Sequence, residues 1–153
     1  MNLINGVTVR SLKVLPDDRG FLMEMLRSDW PEFRAFGQVY LTACYPGVIK
    51  AWHYHRDQWD YFVCIRGMAR IVLYDPRNES PTKGVINEFH TGVLNPLLVI
   101  VPPLVYHGVA AEGPREAILV NIPTRIYDYL APDEYRLPHD DPGVPYDWSL
   151  SHR

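Results

Sequence analysis

Fourteen prolines and ten glycines are spread along 153 residues. Proline removes a backbone donor and fixes φ, and glycine costs backbone entropy inside an element, so the chain is cut into pieces too short for long helices. Between the breaks lie compact runs rich in β-branched and aromatic residues: QVYLTACY (38–45), YFVCI (61–65), MARIVLY (68–74), LLVIV (97–101) and AILVNI (117–122). Turn signals bound them, among them Pro46-Gly47, Arg66-Gly67 and Gly113-Pro114, and many short strands at this spacing point to an all-β sandwich or barrel. Two stretches carry helix signals. SDWPEFRAFG (28–37) opens on a candidate Ser28 cap and ends at Gly37, and APDEYRLP (131–138) has room for a turn or two. The C-terminal PHDDPGVPYDW is too proline-rich for regular structure, yet its aromatics are expected to pack on the body. No repeat or linker divides the chain. The expectation is a single domain over 1–153, its core barrel spanning about 38–123, with one or two short helices.

A formal net charge of −3 gives no general reason for nucleic acid or an anionic membrane as partner. No apolar run approaches the ~20 residues that cross a bilayer, and the N-terminal segment lacks the apolar block of a secretory signal. Cys44 and Cys64 both lie in apolar strand-like runs, which favours buried free thiols over a disulfide. These points lead to an expected cytoplasmic location.

The chemistry concentrates in AWHYHRDQWD (51–60). Residues i and i+2 of a strand share a face, so His53 and His55 are expected to point to one side, with Asp60 close behind. From Gly47 to Gly67 the spacing resembles the first cupin motif, two histidines and an acid at the mouth of a small β-barrel, with Asp in place of the usual Glu. Pro102 to His107 resembles the second motif, with Leu104 where glycine is usual. Together, His53, His55, Asp60 and His107 form a donor set suited to one divalent transition metal if all four converge. In metal-free relatives of that superfamily such residues act as acid–base groups or contact a ligand. His90 and His152 have no comparable neighbours and are expected on solvated surface.

Further segments, spread over nearly the whole chain and in the same order, resemble the dTDP-4-dehydrorhamnose 3,5-epimerase family (RmlC-like cupins). They are Asp18-Arg19-Gly20-Phe21 with Glu24, then Gln38, Lys50 to His55, and YDPRNESPTKG (74–84). Pro102 to Gly108, Tyr129-x-x-Pro132-x-Glu134 and Asp141-Pro142 with Trp148 follow. The resemblance implies a jelly-roll (double-stranded β-helix) cupin barrel, a homodimer that exchanges an N-terminal strand, a nucleotide-sugar substrate and no cofactor. Hydrogens beside the ketone of a 4-keto-6-deoxysugar are acidic, so a base removes one and an acid returns it on the opposite face. On this pattern His53 is the base and Asp141 its partner carboxylate, which otherwise serves as a turn residue before Pro142. Arg19, Glu24, Gln38, Lys50 and His107 contact the substrate, with a surface ion pair as the alternative for Arg19. The chain departs from the family at several places. Lys50 replaces an arginine, Asp60 a lysine, Tyr40 an asparagine and His55 a glutamine. Pro123 stands where the family has its acid tyrosine, leaving Tyr127 or Tyr40 as substitutes. These changes remove substrate contacts and complete a metal-type motif, so two other readings stand beside the epimerase: a metal-dependent cupin and a non-catalytic sugar-binding cupin.

Overall fold

The computed structural model describes residues 2–149. It is all-β, with twelve strands: β1 (Thr8–Ser11), β2 (Val14–Asp17), β3 (Gly20–Met23), β4 (Tyr40–Cys44), β5 (Ile49–Tyr54), β6 (Asp60–Arg66), β7 (Met68–Tyr74), β8 (Ile86–Gly92), β9 (Leu97–Val101), β10 (Tyr106–Glu112), β11 (Ala117–Asn121) and β12 (Tyr135–Arg136). Two five-stranded antiparallel sheets, β1-β9-β6-β11-β4 and β12-β5-β10-β7-β8, face each other in a jelly-roll arrangement, and β2 and β3 pair only with one another.

Alternation along the strands places the core. On β6, Cys64 points inward to meet Val99, Leu119, Ile71 and Leu73 between the sheets, whereas Tyr61 and Val63 point outward. The outward side is not left wet. Met25, Leu26, Trp30 and Trp59 cover Tyr61, Val63, Leu98 and Ile100 on the first sheet. Val144, Tyr146 and Trp148 cover Trp52 and Val72 on the second. Trp52 is fully buried against the Trp148 ring, 5.1 Å between centroids, so the proline-rich C-terminal segment packs on the body as its aromatics suggest. Both cysteines are buried free thiols. Among the described residues no helix is long and apolar enough to cross a membrane.

Neither expected helix forms. Residues 28–37 make only short turns, with Trp30 and Phe33 donating to the carbonyls three residues back. Pro31 has no N–H to continue a ladder, and burying Trp30 against the outer cluster holds the segment down. Within 131–138, Tyr135 and Arg136 instead add strand β12 to the edge of β5, where unpaired backbone groups of β5 attract it. Leu104, at the cupin glycine position, adopts φ 65°, the left-handed conformation that glycine takes without strain. The turn is held because the Leu104 N–H donates to the His55 carbonyl at 2.7 Å, tying the two histidine-bearing segments together.

Candidate active site

A cavity of about 800 Å³ opens between the sheets, lined by His53, His55 and Lys50 from the β5 region, His107 from β10, and Tyr40 and Thr42 from β4. Three features of the backbone assemble it. His53 and His107 stand directly opposite in the β5–β10 register, and an extra residue in β5 then shifts the pairing so that Lys50 meets Val109. Such a bulge re-aims side chains, and here it turns both Lys50 and His53 into the cavity although they lie three apart. His55, two beyond His53, shares its side as strand geometry requires. From the other sheet β6 brings Asp60, so carboxylate and imidazoles meet across the gap.

Asp60 is only 1% exposed and every partner it has is a donor. Its Oδ1 accepts from Gln58 Nε2 and Asn121 Nδ2, each at 2.9 Å. Its Oδ2 lies 2.9 Å from His55 Nε2 and 3.5 Å from His107 Nε2. The other nitrogen of His55 is also taken, since Nδ1–H donates to the Asp133 carbonyl. The Asp133 carboxylate in turn accepts the backbone N–H groups of Arg56, Asp57 and Gln58, which fixes the loop between β5 and β6. Burial works against charge on both members of the pair. Even so, the hydrogen bond and field of Asp60 raise His55 above the ordinary histidine value. Likewise burial would raise Asp60, but His55 and His107 hold it below the usual carboxylate range. His55 and Asp60 are therefore a buried ion pair with hydrogen-bonding capacity satisfied on both sides.

The remaining imidazoles behave differently. Burial pushes His107 down to about 4, against the pull of Asp60, so it is neutral and near that carboxylate. Burial also lowers His53, opposed by Glu134. His53 carries no hydrogen bond on either ring nitrogen among the described residues, and it lines the cavity. It is thus a neutral imidazole with a free lone pair facing open space, the state a general base needs.

The other expected site residues divide into two groups. Gln38 lines the cavity and its Oε1 accepts the Tyr127 N–H at 3.0 Å. Lys50 lines it too, donating to Thr42 Oγ1 at 2.9 Å. Arg19 and Glu24 lie outside it: Arg19 pairs with Asp17 at the exposed tip of the β2–β3 hairpin, and Glu24 accepts from Arg27 at 2.6 Å. No hydrogen bond joins Asp141 to His53. The Asp141 Oδ1 accepts the Gly143 N–H at 2.8 Å and caps its own turn. Of the four metal-type residues, His55, Asp60 and His107 bring one ligand atom each within 4.8 Å of one another, and His53 stands apart from that group. His90 bridges Glu88 and Glu112 on the surface, while His152 lies outside the described residues. Asn121, Gln58 and Asp133 went unnoticed in the sequence. Asn121 left a trace there, as an amide inside the apolar run AILVNI, where a polar side chain demands a buried partner.

Comparison with known proteins bears on this geometry. Residues 15–135 match the family model for the polysaccharide biosynthesis C-terminal domain. The chain is 43% identical over 148 residues to a probable low-salt glycan biosynthesis epimerase, Agl13, of Haloferax volcanii, covering 95% of each. It is 39% identical over 151 residues to the spore coat polysaccharide biosynthesis protein SpsL of Bacillus subtilis, covering 99% of this chain and all of that one. Among solved structures, a dTDP sugar isomerase from Desulfovibrio desulfuricans G20 superposes with a TM-score of 0.91 at 31% identity, over 99% of this chain and 98% of that one.

Proposed function

We propose that this chain, which belongs to the polysaccharide biosynthesis C-terminal domain family, is an epimerase of a nucleotide-linked 4-keto-6-deoxysugar, with His53 as the base. One relative is named a probable glycan biosynthesis epimerase and one solved structure a dTDP sugar isomerase, and one observation carries the choice of base. Of the three cavity histidines, His53 alone has both nitrogens free, because His55 is held at each end and His107 lies against Asp60. Removing a hydrogen beside the C4 ketone leaves an enolate whose charge sits mainly on the C4 oxygen. The Lys50 ammonium, anchored by Thr42 with N–H groups to spare, supplies positive charge for that oxygen or for the diphosphate. Incubation with dTDP-4-keto-6-deoxyglucose in deuterated water is expected to place label at C3 or C5. His53→Asn is expected to lower the rate about 10²–10⁴-fold, the usual contribution of a positioned base, with the melting temperature kept. Absence of label, together with absence of protection by any nucleotide sugar, would sink the reading.

The same proposal extends to a cytoplasmic homodimer. Free buried thiols suit a reducing compartment. The paired β2–β3 hairpin exposes Phe21 and Leu22, and the outer side of edge strand β4 exposes Leu41, apolar surface that a second copy would cover. A monomeric mass by light scattering would contradict the dimer.

The His55, Asp60 and His107 cluster supports a second reading, in which the protein holds one divalent transition metal. Two imidazoles and a carboxylate, each offering an atom at ligand-like separation, fit zinc, iron or manganese chemistry. A bound ion would act as a Lewis acid toward the sugar ketone, and His53 would keep its place as base. Metal analysis of purified protein tests this: stoichiometric metal lost in His55→Ala supports it, and metal-free protein with full activity refutes it.

A further inference from the structure

We propose that Tyr40 is the proton donor on the wall facing His53, and that Asn121 orients it; this rests on the epimerase reading. Inverting a carbon beside a ketone requires proton removal on one face and delivery on the other, so a base on one wall needs an acid on the opposite wall. His53 stands on the sheet that contains β5 and β10. The facing wall is β4 and β11, and Tyr40 and Thr42 are its hydroxyl-bearing residues on the cavity. Thr42 is already engaged, accepting from Lys50 Nζ at 2.9 Å, and an aliphatic hydroxyl is far too weak an acid for this step.

Tyr40 is 42% exposed, and its oxygen is held from the neighbouring strand. Tyr40 and Asn121 are register partners on β4 and β11, and Asn121 Nδ2 donates to the Tyr40 oxygen at 2.9 Å. The same amide is pinned by Asp60 at 2.9 Å, so the carboxylate of the buried ion pair fixes the amide, and the amide fixes the phenol. With its oxygen already accepting from Asn121, the Tyr40 O–H is free to point into the cavity. Burial, aided by the Asp60 charge, raises Tyr40 to about 12, which keeps the proton on oxygen at rest. Tyr127 and Tyr129 also reach the cavity, but they sit on the 124–131 loop against one another, 5.1 Å between ring centroids, with no strand to hold them.

The step balances without a co-reactant. His53 takes the proton from carbon, and the C–H electron pair moves into the enolate. The enolate carbon then takes the O–H proton of Tyr40 on its other face. The phenolate keeps the Asn121 N–H, and exchange with solvent returns imidazolium and phenolate to their resting states.

The test separates this role from the parent reading. Full-length wild-type protein and Tyr40→Phe are incubated with dTDP-4-keto-6-deoxyglucose in deuterated water, and proton NMR reads label incorporated and configuration at the labelled carbon. Wild type is expected to couple label to inversion. Tyr40→Phe is expected to incorporate label with retention, the ratio of inverted to labelled product falling by about 10²-fold or more. Because the readout is a ratio, a partly unfolded population does not alter it. An unchanged ratio overturns the assignment of Tyr40. Loss of label and inversion together, with the melting temperature held, also overturns it, by placing Tyr40 in binding. No label in wild type, together with no protection by any nucleotide sugar, overturns the epimerase reading itself.

Discussion

Substituting Asn for Asp60 separates the two roles open to the buried cluster. The carboxylate accepts from Gln58, Asn121 and His55, each at 2.9 Å, and is 1% exposed. An asparagine of the same shape can keep the first two bonds through its carbonyl oxygen. Its amide then faces His55 Nε2, and the pair is compatible only if His55 becomes neutral, with its proton on Nδ1 toward the Asp133 carbonyl. What is lost is one charge-assisted bond, about 1.5–3 kcal/mol, whereas Asp60→Leu strands several donors and is expected to cost about 3–5 kcal/mol. The sign with pH follows from linkage. Asp60 raises His55 above its unfolded value and His55 holds Asp60 below its own, so the pair's contribution is fully present between about pH 4 and about pH 6.5 and fades as pH rises through the folded histidine value. Denaturant unfolding is therefore expected to place Asp60→Asn about 2 kcal/mol below wild type within that window, the gap narrowing above it. A resident metal reverses the slope, because ligand imidazoles must be deprotonated and binding strengthens with pH. A gap that is constant or widens toward alkaline pH refutes the ion-pair account.

Three further outcomes follow from the packing. Trp52→Ala removes a fully buried indole that holds Tyr146 and Trp148, and is expected to cost about 3–5 kcal/mol and to loosen the C-terminal segment; a loss below 1 kcal/mol in guanidinium unfolding contradicts the packing described. Leu104→Gly relieves a left-handed backbone at a 43% exposed side chain, so stability is expected to hold or to rise by up to about 1 kcal/mol; a clear loss in thermal melts would mean that the leucine side chain supports the turn. Burial would raise the Asp75 carboxyl, but Arg77, Ser80 and Thr82 outweigh it and hold it well below the usual range. Its contribution is present above about pH 4 and lost as pH falls through that range toward the folded value, so wild type is expected to lose melting temperature on acidification more steeply than Asp75→Asn, and parallel acid profiles would exclude it.

Local pattern alone determined the all-β class, the approximate place of the long core strands, and the shared side of His53 and His55, because each depends on alternation and turn chemistry within a few residues. The helices expected over 28–37 and 131–138 failed because caps and propensity are weak against burying Trp30 or adding a strand to the edge of β5. The family resemblance pointed to His53, Lys50, Gln38 and His107, which line the cavity, and equally to Arg19 and Glu24, which do not, and it could not say which histidine stays free. That depended on Asp60 arriving from the opposite sheet and on Asp133, 78 positions along the chain from His55, closing its other nitrogen. The proton state of an imidazole is set by partners brought from distant segments and by the water they exclude. For that reason the candidate residues were legible in the chain, while their division into free imidazole, buried cation and neutral neighbour belongs to the tertiary structure.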